Sequence, residues 1–127
     1  MKAIDPKTKR TYEFEMKDIV FIVEQDARCM TMLKSGTIAN LPREEMEEAL
    51  EKFPAVRSDD FKSLVHINPD EISSCEWDEF DVTIHFENDS VLSRLSRYDF
   101  EKNVLKADEI APKRVKVTYI KQGENVK

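Results

Sequence analysis

Residues 82–95, VTIHFENDSVLSRL, contain the pattern that decides the fold. From Val82 to Glu87 apolar and polar side chains alternate, which predicts a strand with Val82, Ile84 and Phe86 on its buried face. The polar residues 87–90 predict a turn, and residues 91–95 follow as the partner strand. The stretch therefore predicts a β-hairpin with one face packed on the core and the other face exposed.

Similar short apolar segments occur on both sides of this hairpin. The β-branched run Ile19–Val23 predicts a strand buried on both faces. Residues 2–4, 11–16, 29–33, 64–67, 71–77 and 114–121 predict further strands, and Gly36 suits the turn of a hairpin because glycine tolerates a positive φ.

Two segments change to helical spacing. Met46, Leu50 and Phe53 share one face of a predicted amphipathic helix near 43–53, which ends at Pro54. Ser96 predicts the N-cap of a second helix near 97–105. The fold class is therefore α+β, mainly β: an elongated multi-strand β domain with two short helices.

Composition narrows the class of protein. The chain of 127 residues has the length of one domain, and its two cysteines are too few for a disulfide framework, so we expect a reducing, cytoplasmic location. The longest apolar run, residues 19–23, is too short to cross a membrane. The net charge of −6 excludes a general basic coat for nucleic acid but leaves room for a local basic patch.

The charge is unevenly distributed. The acidic middle segment, residues 54–81, has two basic and eight acidic side chains, whereas residues 106–127 have six basic and three acidic ones. Such a run usually forms a solvated surface. The basic C-terminal residues suit contact either with DNA or with the acidic middle segment.

Motifs for catalysis or metal binding are missing from the sequence. Two glycines cannot build a phosphate-binding loop. The residues Cys29, Cys75, His66 and His85 lack the spacing of a zinc site. We expect His85 at the surface, and His66 at the surface or capping a loop. We therefore expect no enzyme activity, no metal and no cofactor.

Five strings, in order, resemble the LytTR domain, a DNA-binding module of bacterial response regulators. They are MKDIVFIVEQD (16–26), MTMLKSGTI (30–38), NLPREEMEEALEKFP (40–54), LVHINPDEI (64–72) and SVLSRLSRYDFEKNVL (90–105). The resemblance implies about ten strands whose loops enter the major grooves of double-stranded DNA. It also implies a LytTR-like domain at 1–105, with 106–127 as a C-terminal extension that adds one strand packed on the same domain.

The same resemblance implies a set of contact residues and a bacterial transcription regulator that binds DNA as a homodimer. The implied DNA-binding residues are Arg28, Lys62, Ser63, Arg94 and Arg97. Arginine presents a donor fork that fits guanine, and lysine presents a point charge for phosphate. Arg97 has a second interpretation, an i to i+4 ion pair with Glu101 inside the helix.

The sequence departs from the family pattern before the predicted contact loop. Asp59 and Asp60 stand where the family has an aromatic residue and an arginine, and two carboxylates there repel phosphate. An alternative function follows: a LytTR-like interaction module that has lost DNA binding. Its acidic middle segment would engage a protein through Trp77 and Phe80, although Trp77 also suits a core position.

Overall fold

The computed structural model describes residues 2–5, 7–105 and 117–119. Within them the chain forms eleven strands in three sheets, and the mainly β class predicted from the sequence is confirmed. The strands are β1 Lys2–Ile4, β2 Thr11–Glu13, β3 Ile19–Gln25, β4 Arg28–Leu33, β5 Ile38–Pro42, β6 Ala55–Arg57, β7 Leu64–Ile67, β8 Ile72–Trp77, β9 Asp81–Phe86, β10 Val91–Ser96 and β11 Val117–Tyr119.

The helical segments are short. The predicted first helix is a 3₁₀ turn, Arg43–Glu45, followed by α1, Glu47–Lys52. The second, α2, begins with the turn Arg97–Asp99 and continues as a π-helix, Phe100–Leu105. Two further 3₁₀ turns lie at Met16–Asp18 and Pro69–Glu71. Among the described residues, no helix has the length and apolar character needed to cross a membrane.

The strands pair in three groups. The central sheet has the order β5-β4-β3-β7-β6, and the second sheet has the order β10-β9-β8-β11. Neighbours pair antiparallel except β11, which pairs parallel to β8 with Thr118 opposite Glu76. Val117–Tyr119 thus lie beside a strand of the acidic middle segment, whereas all basic residues of 106–127, and residues 114–116 and 120–121 of the predicted last strand, lie outside the described residues.

The central sheet has a core on each face. One core packs β3 to β5 against α1 and residues of the β1–β2 hairpin, as Ile22 and Met46 show. The other packs the central sheet against the second sheet and α2, where the rings of Phe21 and Phe86 lie 5.4 Å apart. Because β3 contributes to both cores, its run of apolar side chains is buried on both sides, as predicted.

The hairpin that opened the sequence analysis is formed by β9 and β10. Val82, Ile84 and Phe86 are buried, and His85 points outward to the carboxylate of Glu76. For His66 the predicted surface position is wrong, whereas its ring does contact the Phe53 carbonyl where the chain leaves α1. His66 is only 6% exposed, because β7 lies inside the central sheet between β3 and β6 and both of its faces are covered.

Candidate nucleic-acid interface

The strand registers place five polar residues close to one another at one end of the strands in the two sheets. Gln25 at the end of β3 pairs with Arg28 at the start of β4. On the other side of β3, Glu24 pairs with Leu64, which puts Ser63 beside Gln25. Ser58 donates its backbone N–H to the carbonyl of Ser63 at 2.9 Å.

These contacts continue into the second sheet. Ser58 bridges to Leu95 of β10, and the backbone N–H of Asp59 donates to the carbonyl of Arg94 at 2.8 Å. We call Arg28, Gln25, Ser63, Ser58 and Arg94 the contact row. At about 4.8 Å between neighbouring strands, a row of five positions is roughly 20 Å long.

Arg94 is the most prominent side chain of the row. The pairing of β10 with β9 shifts register between Leu92 and Leu95, and Arg94 in this bulge has φ +60°. Its side chain is 81% exposed and lies 3.4 Å from the Asp59 carboxylate. Bulges redirect side chains, and a non-glycine residue with positive φ is strained, so the backbone here holds an arginine outward at a cost.

The predicted residues Lys62 and Ser63 lie on the loop between β6 and β7, which contacts Arg94 through Asp59. Both are exposed, while Arg28 at the other end of the row is half-buried. The loop tip has a second strained residue, Phe61 with φ +60°, whose ring lies 4.3 Å below the Arg57 guanidinium. Four of the five predicted contact residues therefore lie on or beside the contact row.

Arg97, the fifth predicted residue, is held within the protein. Its Nε donates to Glu101 at 3.0 Å, the i to i+4 pair that the sequence offered as the second interpretation. One terminal nitrogen donates to the Asp78 carbonyl at 2.8 Å, and the guanidinium lies over the Trp77 ring. Only 24% of the side chain is exposed, so Arg97 ties α2 to the loop between β8 and β9.

Carboxylates surround the contact row. The Ser58 hydroxyl and the Lys62 backbone N–H donate to Asp60 and hold the pKa of that carboxyl below its usual value. Asp81 shows the opposite shift: partial burial, then the charges of Asp59 and Asp78, raise its pKa. The interface thus offers a few directed donors within a negative surrounding.

Trp77 and Phe80 differ in exposure. Trp77 is half-buried and packs edge-on against Phe100, with ring centroids 6.0 Å apart. Phe80 is 71% exposed on the loop between β8 and β9, beside Asp78, Glu79 and Asp81. Trp77 is therefore partly a core residue, and of the two aromatic residues only Phe80 is exposed enough to anchor a protein partner.

The cysteines and histidines do not assemble a reactive site. Cys29 and Cys75 are both buried, and desolvation raises the pKa of the Cys75 thiol to about 12. A thiol with so high a pKa is a poor nucleophile at neutral pH. Within the described part of the chain, no group of three or more His, Cys, Asp or Glu side chains is arranged to hold a metal ion.

The comparisons with known proteins found no match: no family model, no curated protein and no solved structure matches the chain. Sequence reasoning missed Gln25 and Ser58 as members of the row. The local sequence does contain part of the signal, because a two-residue turn at Asp26-Ala27 places Gln25 opposite Arg28. The partner of Ser58 depends on pairing between distant strands and has no local signal.

Proposed function

We propose that the protein is a cytoplasmic, sequence-specific DNA-binding regulator that lays the contact row into the major groove of double-stranded DNA. The observation that supports this is the convergence of Arg28, Ser63 and Arg94 on one edge, with Lys62 beside them. These residues come from three separated segments of the chain, at positions 28, 62–63 and 94. The LytTR resemblance implies the same residues as contacts, independently of the strand registers.

Each donor has a role that its chemistry suits. Arg94 is the exposed guanidinium at the end of the row, and it reads guanine through its O6 and N7 acceptors. Lys62 and Arg28 neutralise phosphates on either side, and the hydroxyl of Ser63 donates to a base edge or a phosphate oxygen. Arg97 acts indirectly, because it holds the loop of Asp78 in place.

The carboxylates determine what kind of DNA binding is possible. Asp59, Asp60 and Asp81 repel phosphate and remove the general attraction on which non-specific binding depends. Affinity must then come from directed hydrogen bonds to bases. A single chain offers few of these, so we propose that two copies bind repeated half-sites, as the resemblance implies.

The test is a selection of random DNA duplexes on the purified full-length chain at low salt, followed by affinity measurements on the enriched sequence. Arg94→Ala should weaken the selected site about tenfold to hundredfold. Lys52→Ala, at the end of α1 and outside the contact row, is the matched control and should leave affinity for the duplex unchanged. Absence of an enriched sequence, or equal loss with both variants, would contradict the proposal.

A second function is favoured by one observation, the exposed Phe80 ring between carboxylates. An aromatic anchor with an acidic surrounding fits a basic segment of a protein partner. For this function, Phe80→Ala should abolish partner binding while Arg94→Ala retains it. The DNA-binding function predicts that Phe80→Ala has no effect on the selected duplex.

A further inference from the structure

A cleft of about 360 Å³ lies at the end of β3 and β7 opposite the contact row. It is bounded by the 3₁₀ turn that precedes β3, the residue that follows β4, the end of α1, and the 3₁₀ turn that follows β7. The Lys34 backbone N–H donates to the Asp18 carbonyl at 2.8 Å, which fixes two of these walls together. Small-molecule sites in proteins have volumes from about 300 Å³ upward.

Three lysines stand around the cleft, although the chain as a whole has a net charge of −6. Lys34 pairs with Glu71 at 3.3 Å, and Lys17 pairs with Glu15, which is not part of the cleft. Lys52 makes no ion pair within the described residues. With Asp70 as the other acid, the lining has one more positive than negative group.

The lining of the cleft combines apolar and polar side chains. Its apolar residues Phe53 and Pro69 are buried, and Met16 is half-buried. Asn68 also lines the cleft, but its side-chain amide donates to the Ile19 carbonyl and its oxygen accepts from the Asp70 backbone N–H. A ligand in the cleft therefore meets both carbon atoms and ammonium groups of the lining.

We propose that this cleft binds a small organic anion with a flat apolar body and one carboxylate, sulfonate or phosphate group. The body lies on Phe53 and Pro69, and the anionic group lies between Lys52 and Lys34. Glu71 and Asp70 neutralise two of the three lysines in the lining, and the negative charge of the ligand neutralises the third. This site is separate from the contact row, at the other end of the same two strands.

The experiment uses 1-anilinonaphthalene-8-sulfonate, whose fluorescence rises on transfer to an apolar site, titrated against the full chain. We expect one saturable site per chain. Lys52→Ala should weaken it about tenfold, because a hydrogen bond to a charged group is lost. Lys62→Ala, beside the contact row, is the matched control with the same change of charge and should bind the dye as the unaltered chain does.

Competition with inorganic sulfate tests whether the apolar body of the ligand contributes to binding, because sulfate has the anionic charge alone. Sulfate should displace the dye only at concentrations at least about a hundredfold above those of the dye itself. Displacement at similar concentrations would overturn the stated ligand class. Unchanged dye binding by Lys52→Ala, or loss with Lys62→Ala, would overturn the site. Neither result depends on DNA binding, so the two proposals fail separately.

Discussion

At the scale of single residues, the side chain least expected from the sequence is His66. Its Nδ1 lies 3.2 Å from the Phe53 carbonyl, and its Nε2 contacts the Glu24 carboxylate, which also accepts from Arg43. Glu24 therefore joins the side chains of His66 and Arg43, which come from two separate parts of the chain.

Glu24→Gln should destabilise the protein by about 2–3 kcal/mol, because it leaves the buried imidazole facing a neutral amide. Urea unfolding followed by circular dichroism measures this as a lower midpoint. The exposed Glu48→Gln on α1 is the control and should leave the midpoint unchanged. An equal midpoint for Glu24→Gln would show that the network contributes nothing to folding.

Asp81 gives a prediction with a defined pH dependence. Its pKa is raised above 3.8 by desolvation and by the charges of Asp59 and Asp78. The folded state therefore favours the protonated carboxyl. The resulting contribution to the stability of the fold is complete below pH 3.8 and is lost as pH rises through the raised pKa. Asp81→Asn removes the penalty, so its melting temperature should exceed that of the unaltered chain at pH 7. If Asp81→Asn raises the melting temperature by the same amount below pH 3.8, the increase has a cause other than the charge of Asp81.

At the scale of elements, α2 is fastened to the edge strand β6 by one carboxylate. Asp99 accepts from the Arg57 backbone N–H, Nε and a terminal nitrogen at 3.0, 2.7 and 3.0 Å, while the Ser96 hydroxyl caps the helix by accepting from the Asp99 N–H. The guanidinium holds the pKa of Asp99 below 3.8. This ionised carboxylate stabilises the fold above pH 3.8, and the contribution is lost as pH falls below that value.

Asp99→Asn should cost about 1.5–3 kcal/mol at pH 7, since charge-assisted hydrogen bonds are lost, and much less at low pH. Thermal unfolding at both pH values measures the difference. Asp89→Asn in the exposed turn between β9 and β10 is the control, because asparagine tolerates its φ of +70°. A cost that does not change with pH would assign the effect to packing.

The elements also show how far the sequence can predict this fold. β9 and β10 are predicted by period-two alternation, and α2 by its cap at Ser96, because both signals are local. β5 and β6 are not predicted from the sequence. β5 runs directly into the 3₁₀ turn that begins the first helix, and β6 has only three residues. The sequence predicts that Arg94 lies in the strand 91–95. It does not predict the β-bulge at Arg94 or the proximity of Ser58, because both depend on pairing between distant strands.

At the scale of the whole molecule, the net charge of −6 limits how the protein can bind DNA. In the proposed complex, Lys62 and Arg28 neutralise phosphates and Arg94 lies at a guanine, so at most three cations among the described residues of the interface approach the DNA; Arg97 and Arg57 are held by Glu101 and Asp99. Each neutralised phosphate contributes about 0.9 to the slope of log affinity against log salt. The acidic surroundings add no further counterion release.

We therefore expect a slope no steeper than about −3 per chain for the selected duplex between 50 and 200 mM salt. Lys62→Ala should make the slope shallower by about one, because one phosphate contact is lost. Fluorescence anisotropy of the labelled duplex at several salt concentrations gives both values. A slope much steeper than −3 would mean that basic residues outside the contact row, such as those of 106–127, carry the binding, and the proposed interface would then be wrong.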